Sequence, residues 1–407
     1  MKNTILPVLL LIIAMRCDAG WVQQTSGTTA NLHSVVSSHG EVNTAWICGD
    51  NGTILFTSNG GASWMLQNSG TTKNLYAICF MELSEGPVFA VGQDGIILRT
   101  TNDGTNWMQI PSPTSKTIRD ISDFNFIAVG DSGLIIKSSN QGLNWSVSSA
   151  PVSQNLNAVC ATFGYYAVGD NGTILKSFNS GLNWQPLNSG TNQHIYGVPL
   201  FGSVDIAVGD NGLILRSTSS GNNWFSQPSG FSGRLKSVEY SVNNTSRIYT
   251  CGADGKILKT TNSGNVWGAQ ITPTSEDLNS VFFYLDDNTG YVCGNGGTIL
   301  KTTDGGGSIT FSQGVGTSIP VGVSLEQNYP NPFNPSTSID FSVSGNVFVS
   351  LKVFDIAGRE VATLVNGIRE PGRYSVTFNA SNLPSGVYFC KFTAGSYSLI
   401  KKMVLAK

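Results

Sequence analysis

Charge is what this chain has least of. Only 12% of its 407 residues are Asp, Glu, Lys or Arg, about half the share of an ordinary globular protein. The net charge is −2, so no basic field favours nucleic acid or an anionic membrane surface. Histidine occurs at three positions, His33, His39 and His194. None of them lies in a nucleophile motif or at zinc spacing, and there is no CxxC. No cofactor and no metal is expected. No window repeats its apolar residues every 3.6 positions, which excludes a helical solenoid. The one long apolar run, Ile5 to Met15, is too short to cross a bilayer. The mature chain is therefore expected to have no transmembrane span.

That run follows Lys2 and precedes Cys17-Asp18-Ala19, a small-x-small cleavage pattern. Residues 1–19 read as a signal peptide, with a mature start near Gly20. Arg16 stands where a lipoprotein signal needs a small residue, which argues against acylation of Cys17. Six cysteines remain: Cys48, Cys79, Cys160, Cys251, Cys293 and Cys390. Cys48, Cys251 and Cys293 share one repeat position with Val91, Val129, Val168 and Val208, so they read as small core hydrophobes. An oxidising compartment leaves a disulfide open as the alternative.

What the chain has in abundance is glycine, at 47 residues. A Gly-x-x-Gly turn followed by aliphatic residues recurs seven times: at Gly49, Gly92, Gly130, Gly169, Gly209, Gly252 and Gly294. The spacings are 43, 38, 39, 40, 43 and 42 residues. Each unit reads as four short strands, the first as Leu32 to Val36, Thr44 to Cys48, Thr53 to Thr57 and Ser63 to Gln67. Asn51-Gly52 supplies the positive φ values of the central hairpin turn. Four strands in about 40 residues, repeated, mark a propeller blade. Trp21 to Gly27 copies Trp64 to Gly70, a fourth-type strand with no first three before it. It is expected to complete blade seven and remove a free sheet edge. Ile309 to Gln313 is a weaker copy of the same strand. The fold class expected is all-β: a seven-bladed β-propeller over 20–313, a linker over 314–322, and a small β-sandwich domain over 323–407.

The turn between the third and fourth strands has its own signature. Thr57-x-Asn59-x-Gly61-x-Ser63-Trp64 returns around Asn102, Gly104 and Trp107, around Asn140, Gly142 and Trp145, and around Asn179, Gly181 and Trp184. Gly221 with Trp224 and Asn262 with Gly264 and Trp267 continue it; Asp304 and Gly306 end it, with Ile309 in the Trp place. This resembles the Asp-box, with Asn for Asp in most copies. The Asx side chain bonds its own turn, Gly takes the strained backbone angle, and Trp packs between sheets. These are read as folding devices.

The blades as a set resemble the photosystem II stability/assembly factor-like propellers over about 21 to 303, and more loosely the Asp-box (BNR-type) sialidases and glycosidases. The assembly-factor resemblance implies a partner protein, but no Arg-rich patch suited to such a partner is present. Sialidase chemistry needs clustered arginines and a Tyr-Glu nucleophile pair. The propeller's arginines are Arg99, Arg119, Arg216, Arg234 and Arg247. Arg99 and Arg216 occupy third-strand positions shared with Lys137, Lys176 and Lys259, so they read as repeat surface residues. Within the propeller, glutamate is confined to Glu41, Glu82, Glu85, Glu239 and Glu276.

One constellation is a candidate binding face. Asp50, Asp131, Asp170 and Asp210 share one place in the hairpin turns, with Asp94 and Asp254 one residue on. A closed ring puts them on one face, able to attract a cation or a basic partner. The plainer reading is that each Asp bonds its own turn. The loops leading into the innermost strands reach the same face and differ between blades: Lys73, Lys116, Arg234, and Glu276 with Asp277. His33 and His194 lie beside them and read as structural or solvent-facing.

The C-terminal quarter breaks the repeat. Tyr329-Pro330-Asn331-Pro332-Phe333-Asn334-Pro335 forbids regular structure. Six alternating strands follow, from Ser338 to Leu405. The proline run, the turn at Gly358, the Leu383 to Tyr388 segment with Gly386 and Tyr388, and the end with Lys401 and Lys402 resemble a type A sorting domain of the type IX secretion system. The resemblance implies the type IX machinery as a partner and export across the outer membrane, followed by release or surface attachment. The expected function is a non-catalytic secreted or cell-surface scaffold that binds protein or glycan. The alternative is a polysaccharide-acting glycoside hydrolase with carboxylates on the loop face.

Overall fold

The computed structural model describes residues 20–38, 43–80, 86–122, 125–161, 165–199, 204–283, 286–310, 323–343, 345–370, 372–395 and 397–406. The expected signal peptide and linker, with His39, Glu41, Glu82 and Glu85, lie outside the described residues.

Seven four-stranded antiparallel sheets follow one another along the chain. Blade one is Leu32–Ser37, Ala45–Gly49, Ile54–Thr57 and Met65–Gln67, from the axis outward. The second strands are buried along nearly their whole length, because sheets cover them on both faces. The innermost strands touch in chain order, and that of blade seven, Leu278–Phe283, returns to Leu32–Ser37.

Closure uses the two ends of the ring. Val22–Gln24 is the fourth strand of blade seven, with Val22 opposite Lys301 and Gln24 opposite Ile299. Trp21 is buried, meets Phe283 edge-on and donates its indole N–H to Gln270 of blade six at 3.0 Å. With that strand in place, the weaker copy finds another partner. Thr310 bridges Ala269 on the outer strand of blade six, through two backbone bonds of 2.7 Å.

The hairpin turns lock each blade to the next. Asn51 and Gly52 have φ of 56° and 69°. A Cβ on Gly52 would lie 2.0 Å from the Thr71 carbonyl, on the loop leading into blade two. Gly297 of blade seven meets Thr28 in the same way. At the opposite end of each blade the Asn turns form as their residues dictate. Asn59 Oδ1 accepts the Ser63 N–H at 3.0 Å, and the Thr57 hydroxyl accepts the Gly61 N–H at 2.9 Å. Trp64 then stands edge-on to Tyr291 of the preceding blade.

The C-terminal quarter is a sandwich of a three-stranded and a four-stranded sheet. Phe341, Leu351, Val353, Phe392 and Met403 fill it. All six expected strands are present, and a short one, Ser324–Leu325, joins them. The proline run bends, with cis peptide bonds before Pro330 and Pro332, rather than running extended, and Phe333 holds it to the last strand. Asn331 imitates a strand neighbour there: its amide donates to the Lys402 carbonyl and accepts the Val404 N–H.

Candidate binding site at the channel mouth

In every blade the innermost strand slips by one residue against its neighbour, directly after its first residue. The slip falls between Leu32 and Ser34 in blade one and recurs at the same place in the other six. A bulge of this kind leaves one residue unpaired and re-aims its side chain. The seven bulged residues are His33, Tyr76, Arg119, Asn157, Tyr196, Lys236 and Asn279. All are half-buried, and all line one axial cavity of about 660 Å³. The frame repeats, and the side chains it presents do not.

The turn aspartates sit above this ring. The carboxylates of Asp50, Asp131, Asp170 and Asp210 reach side chains of the innermost strands and of the loops before them, a correction to the plainer reading that each bonds its own turn. The bulge lifts the strand side chains to meet them. Asp50 lies 2.7 Å from His33 Nε2 and accepts from Asn31 at 2.9 Å. Asp131 takes Arg119 at 2.5 Å, and Asp210 takes Arg234 at 2.9 Å and Tyr196 at 3.3 Å. Asp170 accepts from Asn155 and Asn157 and lies 3.0 Å from His194. Burial alone would push its carboxyl up; those neighbours outweigh burial and hold it below the usual carboxylate range. His33 and His194 are thus part of the mouth's ring of polar contacts.

The loop residues join the same ring. Lys73 stands 3.5 Å from Asp94, and Lys116 donates to the Ser132 carbonyl at 3.2 Å. Asp277 takes Lys236 at 3.2 Å and accepts the Asp254 N–H at 3.2 Å. Glu276 stays exposed on the rim. Of the eleven face residues expected, Asp131 and Arg234 line the cavity; the others surround it.

Two carboxyl groups lie deeper and were missed as site residues. Asp120, on blade three, accepts N–H groups from Val159 at 2.7 Å and Ile121 at 2.9 Å, and so stitches blade three to blade four. Burial pushes it up to about 7, against those two bonds. Glu239, on blade six, is 8% exposed and takes one N–H, from Tyr240 at 2.9 Å. Burial pushes it up to about 8. The available signal was the repeat itself: Glu239 stands where blades one and seven have Val36 and Phe282.

The third-strand cations are not surface residues, as the sequence reading had them. Lys176, Lys259, Arg216 and Lys301 span blade boundaries. Lys176 and Lys259 are buried and donate to the Ser220 and Gly305 carbonyls at 2.5 and 2.8 Å, while Arg216 donates to Ser263 at 2.7 Å. Lys301 of blade seven reaches Gly60 of blade one at 2.6 Å. Arg99 stacks over Phe89. All six cysteines are buried thiols with no disulfide among them, and burial pushes Cys251 up to about 12.

The tail residues are spread over the sandwich. Gly358 takes a φ of 76° in an exposed turn closed by Asp355 and Arg359. Tyr388 is buried and donates to the Pro384 carbonyl. Gly386 opens its strand, and Lys401 and Lys402 lie on the last one. Residues 327–406 match the family model for a secretion system C-terminal sorting domain. That match implies type IX export to the cell surface or the extracellular space. Among the described residues no helix is long and apolar enough to cross a membrane.

Solved structures resemble the propeller. YCF48 from Cyanidioschyzon merolae is 19% identical, with a TM-score of 0.59, over 70% of this chain and 99% of that one. A structure described as YCF48 bound to D1 peptide has the same identity and score, over 71% and 96%. The RRP9 WD40 repeats are 9% identical with a TM-score of 0.57, over 70% and 97%. At these identities the likeness is one of fold. No curated protein matches the chain in sequence.

Proposed function

We propose that the chain is an exported, non-catalytic scaffold that binds a protein or glycan at the channel mouth. The observation that carries this reading is the seven-fold bulge, which aims seven side chains of five kinds at one cavity. A repeated frame with non-repeating tips is how a propeller writes specificity. The cavity volume suits a ligand group or an inserted side chain. The fold neighbour described with a bound peptide supports a peptide ligand. A glycan array and a peptide array, each probed with the chain and with a Tyr76→Ala/Tyr196→Ala variant, test the reading. Binding lost in the folded variant is expected; binding unaffected by it would move the site elsewhere.

A polysaccharide-acting hydrolase is the second reading, favoured by two raised carboxyl groups in one cavity. Against it, Asp120 has both oxygens engaged by backbone N–H groups. A panel of chromogenic glycosides decides the matter. Turnover that disappears in Glu239→Gln would replace the binding reading with an enzyme.

A further inference from the structure

The cavity wall is mixed: Val36, Ile121, Val238 and Phe282 give it apolar stretches between polar side chains. Asp120 and Glu239 interrupt it from blades three and six. Those blades stand three places apart in a ring of seven, so the two groups approach from opposite sides. Neither has a counter-ion. The mouth cations are already committed: Arg119 to Asp131, Arg234 to Asp210 and Lys236 to Asp277. Glu239 uses one oxygen for the Tyr240 N–H and has no other hydrogen-bond partner among the described residues. A buried acid with one oxygen left without a hydrogen-bond donor is costly to ionise alone and strongly favours an incoming donor of positive charge.

We propose that the axial cavity receives a basic side chain, the ammonium or guanidinium group of a partner protein's lysine or arginine. This rests on the channel-mouth reading and names the ligand group. Three observations choose an organic cation. First, among the described residues no cluster of His, Cys, Asp and Glu could hold a metal ion, and a bare metal ion demands several oxygens at close range. Second, the apolar stretches of the wall at Val36, Ile121 and Val238 suit the aliphatic stem of a long side chain. Third, the mouth carries eight carboxylates against five lysines and arginines, a field that draws in basic partners. Those eight are Asp50, Asp94, Asp131, Asp170, Asp210, Asp254, Glu276 and Asp277.

Calorimetric titration of the exported chain with four capped tripeptides tests this: acetyl-Gly-Lys-Gly-amide and its arginine, norleucine and glutamate counterparts. The lysine or arginine peptide should bind at least about tenfold more tightly than norleucine, the uncharged near-isostere. Glu239→Gln should weaken that binding about tenfold or more, and Glu326→Gln, exposed on the C-terminal sandwich, should leave it unchanged. Thermal melting shows that each variant is folded. Norleucine or glutamate binding equal to lysine would overturn the inference. So would lysine binding that survives Glu239→Gln, or no binding of either basic peptide at millimolar concentration. If the arrays yield a ligand that depends on Tyr76 and Tyr196 while the basic peptides fail, only the cation inference falls.

Discussion

Glu239 hangs in the cavity on a single backbone bond, and its titration is linked to folding. The unfolded chain releases this proton near 4.5, the folded chain near 8. Between those values the fold holds a proton that the unfolded chain has lost. Stability therefore declines as pH rises through that window, and the loss is complete above it. Glutamine keeps an acceptor for the Tyr240 N–H and cannot ionise. Glu239→Gln should thus melt with the parent at pH 4.5 and above it at pH 9, a difference that differential scanning calorimetry reads. Asp120→Asn should behave otherwise. One amide oxygen cannot replace two carboxylate oxygens, so the Val159 or Ile121 N–H loses its acceptor, at about 1–3 kcal/mol. A lower midpoint at pH 5 is the expected result. At this scale the sequence was half legible. The turn aspartates could be found by alignment of the repeat, but their partners could not, because those partners come from strands and loops 12 to 24 residues away.

Strands and turns were easier to read. The Gly-x-x-Gly turns and the fourth-type strand at Trp21 needed only local chemistry and self-comparison. The bulge escaped because a one-residue slip hides inside an ordinary strand. Its trace is there in retrospect: Leu32-His33-Ser34-Val35 puts two non-apolar residues between apolar ones, which breaks the alternation of a regular strand. Two changes at the ring seam follow from the packing. Deleting residues 20–27 removes a paired strand and the buried Trp21 ring. A buried aromatic alone is worth about 3–5 kcal/mol, so the thermal midpoint should fall by about 10 °C. An unchanged midpoint would refute closure through this strand. Gly297→Ala places a methyl 1.9 Å from the Thr28 carbonyl at a φ of 74°. It should loosen the same seam, seen as earlier hydrogen exchange of Val22–Gln24 than of the innermost strands.

For the whole molecule, two architectures are joined end to end, and each was visible in a different kind of signal. The propeller showed itself as a period; the tail showed itself as a set of unique motifs. Residues 318–407 fused to a periplasmic reporter should carry it to the surface of a bacterium with type IX machinery, as surface labelling would detect. A reporter left in the periplasm of such a host would contradict the sorting role. The propeller's ligand was the least legible feature, since it depends on residues that vary within the repeat. The strand that completes blade seven has one more consequence. Val22–Gln24 leaves the ribosome before all the rest of the ring, yet its partner Ile299–Thr302 is the last strand of the propeller to be made. Until then Trp21 has no pocket to fill. The chain must therefore be passed along unfinished, and its oldest strand is the last to find shelter. Pulsed hydrogen exchange should find these two strands gaining protection together, in a slow final step set by closure of the longest loop in the fold.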